Sequence, residues 1–281
     1  TEDMPDGRVK HIVQNITDPD IVPYIPDGIG NSTDRQRIPA VLIIPGGAFR
    51  RLVYNFEGED VAKWLNSMGI AAFVLECRLP SDEHDNAEDV PLIDAMRAMR
   101  VIRGRAQEFG IDEAKIGVMG FSAGGFMAAL LSTAYESDVY ADYKYKDEYD
   151  KLSARPDFAV CSYPVISIDD CIEAGKRYMS EEQVLERISD SKAKILHKYN
   201  PDKLVRPDMP PVFICETDDD RTTLSENSVG FYMAARKAGV SAELHIFRTG
   251  GHGYGCGDDF AQTGEWKVLF TKWIKSIGII S

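Results

Sequence analysis

Ile116-Gly117-Val118-Met119-Gly120-Phe121-Ser122-Ala123-Gly124-Gly125-Phe126-Met127-Ala128-Ala129-Leu130-Leu131 is the stretch on which the fold turns. Ile116 to Phe121 is a short apolar run that reads as a buried strand, and Phe126 to Leu131 are good helix formers. Between them lies Gly120-Phe121-Ser122-Ala123-Gly124, a Gly-x-Ser-x-Gly pentapeptide. Strand, sharp turn and helix in that order form a nucleophile elbow. The turn strains the backbone at the serine, and side chains at Gly120 and Gly124 would strike the neighbouring strand and helix. Ser122 is then presented above the sheet at a helix N-terminus, where unpaired N–H groups and the dipole favour negative charge. The competing reading, a Gly-Ser turn without chemistry, does not account for this context.

Outward from that stretch, short apolar runs alternate with longer amphipathic ones from residue 41 onward. Val41 to Pro45, Ala71 to Leu75, Phe158 to Tyr163, Val212 to Cys215 and Ala242 to Phe247 read as further strands. Glu57 to Met68, Asp89 to Glu108, Gly124 to Thr133, Ser225 to Ala238 and Trp266 to Ile277 carry helical apolar spacing. In the last of these, Val268, Trp273 and Ile277 are expected to reach the sheet. Residues 1 to 40 are less regular and are expected to supply edge strands. The pattern defines an α/β fold, with a mostly parallel central sheet, helices on both faces and a small lid or insertion. A single domain over residues 1–281 is the default at this length. Two regions interrupt the alternation: 135–151, read as a surface excursion, and 171–200, read as a small lid or extra helices.

The chain carries 32 basic and 45 acidic residues, a net charge of −13, which argues against phosphate backbones and anionic membranes as partners. No apolar run approaches the roughly 20 residues of a membrane span. Thr1 to Lys10 is polar and lacks a hydrophobic signal core, which favours the cytoplasm, while a start at Thr also fits a processed exported form. Two sequons, Asn15-Ile16-Thr17 and Asn31-Ser32-Thr33, matter only in the second case. Cys77, Cys161, Cys171, Cys215 and Cys256 include no Cys-x-x-Cys pair and read as small core residues. His84, in the acidic loop Ser81 to Asp89, has no second histidine beside it, so no metal site is expected.

A serine nucleophile needs a base, an acid to orient it, and donors for the oxyanion. Of five histidines, His252 stands in Gly250-Gly251-His252-Gly253, between the last strand and the final helix. That is the place of the base when the chain order is Ser, acid, His. His245 falls inside the preceding strand and reads as a packed residue. The acid belongs at the end of the strand Val212 to Thr217, where Asp218, Asp219 and Asp220 compete. Pro45-Gly46-Gly47-Ala48-Phe49, after the first clear strand, resembles the His-Gly-Gly-Gly element of esterases. The resemblance assigns the oxyanion donors to the N–H groups of Gly47, Ala48 and Ala123.

Taken together these motifs resemble α/β-hydrolase carbohydrate esterases of the acetyl xylan and feruloyl esterase kind, often labelled xylanases or dienelactone-hydrolase-like proteins. The likeness runs from about residue 41 to the C-terminus. It includes Pro45-Gly46-Gly47, Glu57-Gly58, Trp64-Leu65-Asn66-Ser67, Pro91-Leu92-x-Asp94-Ala95, Arg100-x-Ile102-Arg103, Gly117 to Gly125, Arg155-Pro156-Asp157-Phe158, Asn227-Ser228 and Gly250 to Gly253. In that group the acid stands three residues before a Val-Pro and seven before an Asn-Ser pair, which picks out Asp220. Departures are Thr223-Leu224 in place of Val-Pro, Ala48 for the third glycine of the loop, and Phe126 where a histidine is common. The resemblance implies a serine carboxylesterase acting on acetyl groups of plant-polysaccharide sugars. It implies no metal and no cofactor, and a small-molecule or oligosaccharide ester as the partner. An amidase or lactonase of the arylformamidase kind would use the same three side chains, and a catalytically silent binding protein is the remaining alternative.

Overall fold

The structure is a computed structural model of the chain. It describes residues 1–281 except 4–6, 29–36, 83, 144–145, 178, 181, 185, 187–190 and 258–261, with the side chains of 171, 174 and 191–193 also outside the description. The sequon at Asn31, and Leu185 and Ile188 of the second insertion, therefore lie outside the described residues.

Seven strands form the central sheet: β1 (Asp20–Tyr24), β2 (Ile38–Ile44), β3 (Ala71–Glu76), β4 (Ile111–Phe121), β5 (Ala159–Ser162), β6 (Val212–Thr217) and β7 (Ala242–Phe247). Their spatial order is β7-β6-β5-β4-β2-β3-β1. All neighbours are parallel except β1, which runs antiparallel on the outer side of β3. Pro23, which lacks an N–H, is tolerated there because β1 is an edge strand. The chain goes outward from β2 to β3 and then crosses back to place β4 on the other side of β2. The carboxyl ends of β2 and β4 thus flank a topological switch point, where open α/β sheets leave a crevice for ligands. In register, Ile44 is opposite Gly120, so the loops after both strands emerge side by side.

Successive residues of a strand face opposite sides of the sheet, and the core divides accordingly. Leu42 and Ile44 pack with α2 (Val90–Gly104), α3 (Ala123–Ala134) and α4 (Ser225–Lys237). Val41 and Ile43 pack on the other face with α1 (Asp60–Ser67) and α5 (Glu265–Ser276). α5 corrects one expectation from spacing. Its buried face is Trp266, Phe270, Trp273 and Ile274, whereas Val268 is 47% exposed and Ile277 lies at the margin. The helix rotates so that its two tryptophans and Phe270, with the largest apolar areas, are buried in preference to valine.

The excursion at 135–151 is laid back onto α2. The Arg100 guanidinium lies 4.1 Å from the Tyr140 ring centroid, and Arg97 Nη2 donates to Asp147 Oδ2 at 2.6 Å. The second insertion supplies helices Ile168–Lys176 and Ser191–Lys198. Ile195 is buried in the α2 side of the core, and Tyr199 and Lys198 both donate to Asp89 at the start of α2. None of its described residues lines the cavity above Ser122. Cys77, Cys161, Cys215 and Cys256 are all buried, as core residues are expected to be, and burial pushes the Cys215 thiol up to about 12. His245 is half-buried, with its ring 5.3 Å from that of Phe213 and its Nε2 2.7 Å from Glu243 Oε1.

Candidate active site

Ser122 occupies the single residue between β4 and α3, with φ +53 and ψ −118, a left-handed conformation that costs a non-glycine residue roughly 1–3 kcal/mol. The neighbours hold it there. Ser122 N–H donates to the Ser162 carbonyl at 3.0 Å, and the Ser122 carbonyl accepts from Phe126 N–H at 3.0 Å. The flanking glycines are obligatory: a Cβ on Gly120 would lie 1.9 Å from the Gly124 carbonyl oxygen, and one on Gly124 would lie 1.9 Å from that of Ile44. β4 and α3 can approach this closely only without those side chains, and the approach lifts the hydroxyl above the sheet. Phe126, a departure from the resemblance, is fully buried and meets Phe49 edge-on at 5.5 Å, away from the cavity lining.

His252 reaches this hydroxyl from the loop after β7, its Nε2 lying 2.8 Å from Ser122 Oγ. Its other ring nitrogen, Nδ1, lies 2.6 Å from Asp220 Oδ2. The three aspartates after β6 separate by burial and by partner. Asp218 and Asp219 are exposed, and Asp219 Oδ1 accepts the Gly251 N–H at 2.8 Å, tying the two loops together. Asp220 is 2% exposed and turns inward. Its Oδ1 accepts the N–H groups of Thr222 at 2.7 Å and Thr223 at 3.0 Å, and its Oδ2 accepts the Thr223 hydroxyl at 3.0 Å. Burial would raise the pKa of this carboxyl, but the bond and charge of His252 and the backbone donors outweigh it and hold it below the ordinary value. An ionised Asp220 fixes the Nδ1–H tautomer of His252 and leaves Nε2 free to accept the Ser122 proton.

The loop after β2 closes the other side. Gly47 has φ +140, and a Cβ there would lie 2.0 Å from the Arg51 carbonyl oxygen, so glycine is required. Ala48 follows at φ +57 and Phe49 at φ +60, both unfavourable for residues with a side chain. Gly47 and Ala48 line one cavity of about 700 Å³ together with Ser122 and His252. Ala123 is the first residue of α3, where an N–H has no partner within the helix. The cavity is also lined by Arg8, Lys10, Phe56, Glu57, Tyr254 and Thr222.

Several residues that organise this site carry no role in the sequence reading. Thr223, noted only as a departure, places its hydroxyl between Asp220 Oδ2, His252 Nδ1 at 3.2 Å and the Tyr163 carbonyl at 3.2 Å. Asn227 Oδ1 accepts the N–H groups of Ile166 at 2.9 Å and Ser167 at 3.1 Å, which joins the segment after β5 to the start of α4. Glu57, a landmark of the resemblance, is buried beneath the loop after β2. The motif itself gave a position for Glu57 and Asn227, while Tyr163 has no local signal. His84, considered for a cation, instead has its Nε2 3.0 Å from the Ile16 carbonyl oxygen. Among the described residues no group of three His, Cys, Asp or Glu side chains could hold a metal ion, and no helix is long and apolar enough to cross a membrane.

Sheet order, switch-point crevice and strand-to-helix serine together are the architecture of an α/β hydrolase. Comparison with known proteins makes the assignment narrower: residues 29–234 match the model of the BD-FAE family, and the chain belongs to that family. An acetylxylan esterase of Xylanibacter ruminicola is 31% identical over 240 residues, which are 85% of this chain and 45% of that protein. The chain spans less than half the length of the curated relatives it matches. Among solved structures, an acetyl ester-xyloside bifunctional hydrolase from Caldicellulosiruptor lactoaceticus is 35% identical with a TM-score of 0.76, covering 97% of this chain and 98% of that one. The carboxylesterase Cest-2923 of Lactobacillus plantarum, at 21% identity and a TM-score of 0.77 over 97% of this chain and 98% of its own, shares the fold.

Proposed function

We propose that the protein is a serine carboxylesterase that removes short acyl groups, acetyl foremost, from esters of plant-polysaccharide-derived sugars. The observation that carries the reading is the continuous line from Asp220 through His252 to Ser122, at 2.6 and 2.8 Å, opening into a cavity shared with Gly47 and Ala48. The names of the acetylxylan esterase relative and of the acetyl ester-xyloside hydrolase support acetylated xylan fragments as the substrate class. No such relative favours the amide or lactone alternative, and an intact line of three side chains is not what a silent binder needs to keep.

In this mechanism His252 Nε2 takes the Ser122 proton as Oγ attacks the ester carbonyl, and the N–H groups of Gly47, Ala48 and Ala123 receive the oxyanion. Asp220 stabilises the imidazolium through Nδ1–H. His252 then gives its proton to the leaving sugar hydroxyl, and the acyl group stays on Ser122. Water, deprotonated by His252, attacks the acyl-enzyme and releases the carboxylic acid. The test is hydrolysis of an aryl acetate and release of acetate from acetylated xylo-oligosaccharides by the wild type and by Ser122→Ala. A loss of about 10⁵-fold or more in the variant is expected. Equal rates in the two proteins would overturn the proposal.

A further inference from the structure

Four loops meet at the cavity, after β2, β4, β6 and β7; one pair of buried side chains ties the first to the last, and the backbone at residues 162 and 163 reaches the other two. Glu57 is 5% exposed, in the turn just before α1. Its Oε2 accepts the Gly46 N–H at 2.8 Å, one residue before the loop that holds Gly47 and Ala48. Its Oε1 accepts the Tyr163 hydroxyl at 2.8 Å, and that hydroxyl oxygen accepts the Gly255 N–H at 3.0 Å, three residues past His252. The Tyr163 ring meets the His252 imidazole edge-on, with centroids 5.0 Å apart. The backbone of Tyr163 completes the set, since its carbonyl oxygen lies 3.2 Å from the Thr223 hydroxyl oxygen beside Asp220. The preceding residue, Ser162, accepts the Ser122 N–H.

We infer that Glu57 and Tyr163 are positioning residues for the acyl transfer, a buried clamp that sets the oxyanion loop and the His252 loop at a fixed distance from Ser122. The inference rests on the serine esterase reading above. Gly46 is held tightly between the two groups concerned: a Cβ there would lie 2.7 Å from Glu57 Oε2 and 2.9 Å from the Ser122 Cβ. Any shift of the carboxylate therefore moves the donors of Gly47 and Ala48 relative to Oγ. The bond directions form one chain, from Gly255 N–H to the Tyr163 oxygen, from Tyr163 O–H to Glu57, and from Gly46 N–H to Glu57. Only a carboxylate offers an acceptor at both ends. Burial raises the Glu57 pKa, opposed by the Tyr163 hydroxyl, the charge of His252 and the Gly46 N–H. Fold stability alone gives no reason to bury an acid here, because an apolar pair of similar volume serves a core at least as well. Tyr163 is also held at φ +38, a further local cost at the same point.

The experiment compares wild type, Glu57→Gln, Tyr163→Phe and the double variant on an aryl acetate, with kcat, KM and Tm measured for each. In Glu57→Gln one end becomes a donor, so the Gly46 bond is kept while the Tyr163 O–H loses its acceptor. Tyr163→Phe keeps the ring packing and removes only the hydroxyl. Each single variant is expected to lower kcat about 10- to 100-fold, because donors misplaced by a fraction of an ångström lose part of a contribution worth 10²- to 10³-fold. KM stays within about twofold, as expected when the lost interaction acts in the transition state alone. The double variant is expected to lose no more than the worse single, since both substitutions break the same chain. Unchanged kcat in both singles, or losses that multiply in the double, would overturn the clamp. So would losses confined to proteins whose Tm has dropped by more than about 10 °C. An inactive wild type would instead refute the esterase reading itself.

Discussion

Replacing Thr223 by valine removes one hydroxyl from the buried side of the line between Asp220 and His252 and leaves the shape of the side chain almost unchanged. Thr223 is 1% exposed, and its hydroxyl lies 3.0 Å from Asp220 Oδ2. A bond to an ionised carboxylate contributes about 1.5–3 kcal/mol, and the buried methyl that replaces it returns roughly 1 kcal/mol. The net expectation is a loss of about 0.5–2 kcal/mol at pH 7, or roughly 1–8 °C in Tm. Activity changes less, by under about tenfold, because Asp220 keeps His252 and the two backbone N–H groups. The pH dependence has a definite sign. A carboxyl held below its ordinary value of 3.8 contributes stability that is full above that value and is lost as the pH falls through the lower folded value. Thr223→Val moves the folded value back up. The stability gap between the two proteins is therefore widest at neutral pH and narrows in acid. Urea denaturation of both at pH 7 and at the lowest pH where each still folds measures it. A gap that is absent at pH 7, or that widens as the pH falls, refutes the reasoning.

Asp220→Asn presents an amide to His252 Nδ1 and favours the wrong tautomer, so kcat for an aryl acetate should fall by about 10⁴-fold. Asp219→Asn keeps an oxygen for the Gly251 N–H and should stay within about tenfold of wild type in the same assay. Gly124→Ala drives a Cβ into the Ile44 carbonyl oxygen at 1.9 Å and the Pro45 carbonyl oxygen at 2.7 Å. Both are backbone atoms that cannot rotate away, so thermal unfolding should show a loss of about 3 kcal/mol or more, or no folded protein. Ala48→Gly relieves the φ of +57 and should raise stability by about 0.5–1 kcal/mol in urea, while the N–H and the aryl-acetate rate are retained.

The serine and the histidine were legible because each depends on local grammar. Gly120 and Gly124 are required by atoms a few residues away or on the adjacent strand, and a glycine-flanked histidine after the last strand has one place to go. Asp220 was harder to read, since Asp218, Asp219 and Asp220 have the same chemistry and differ in which way a loop turns. What separates them is burial and two backbone N–H groups, and neither leaves a mark in the residue type. The Glu57–Tyr163 bond joins residues 106 apart, beyond any periodicity. Val268 fails for a related reason: apolar spacing on α5 permits more than one face, and the aromatic rings of Trp266, Phe270 and Trp273 decide between them. The Tyr-rich 135–151 stretch lacked apolar periodicity because its packing partners are arginines of α2, whose guanidinium groups cover the rings.

Ser122, Ala48, Phe49 and Tyr163 are four of the six non-glycine residues held at positive φ among those described. Ser122 and Ala48 line the cavity, Phe49 follows Ala48 in the chain, and the Tyr163 ring meets that of His252. These costs thus gather around one cavity, and a search for heat-resistant variants that scored stability alone would be drawn to these positions first. Such a search would take glycine at Ser122 and Tyr163, whose side chains the proposed chemistry uses, as readily as at Ala48, where only the backbone N–H is used, so any thermal selection on this chain should carry an activity screen at every round.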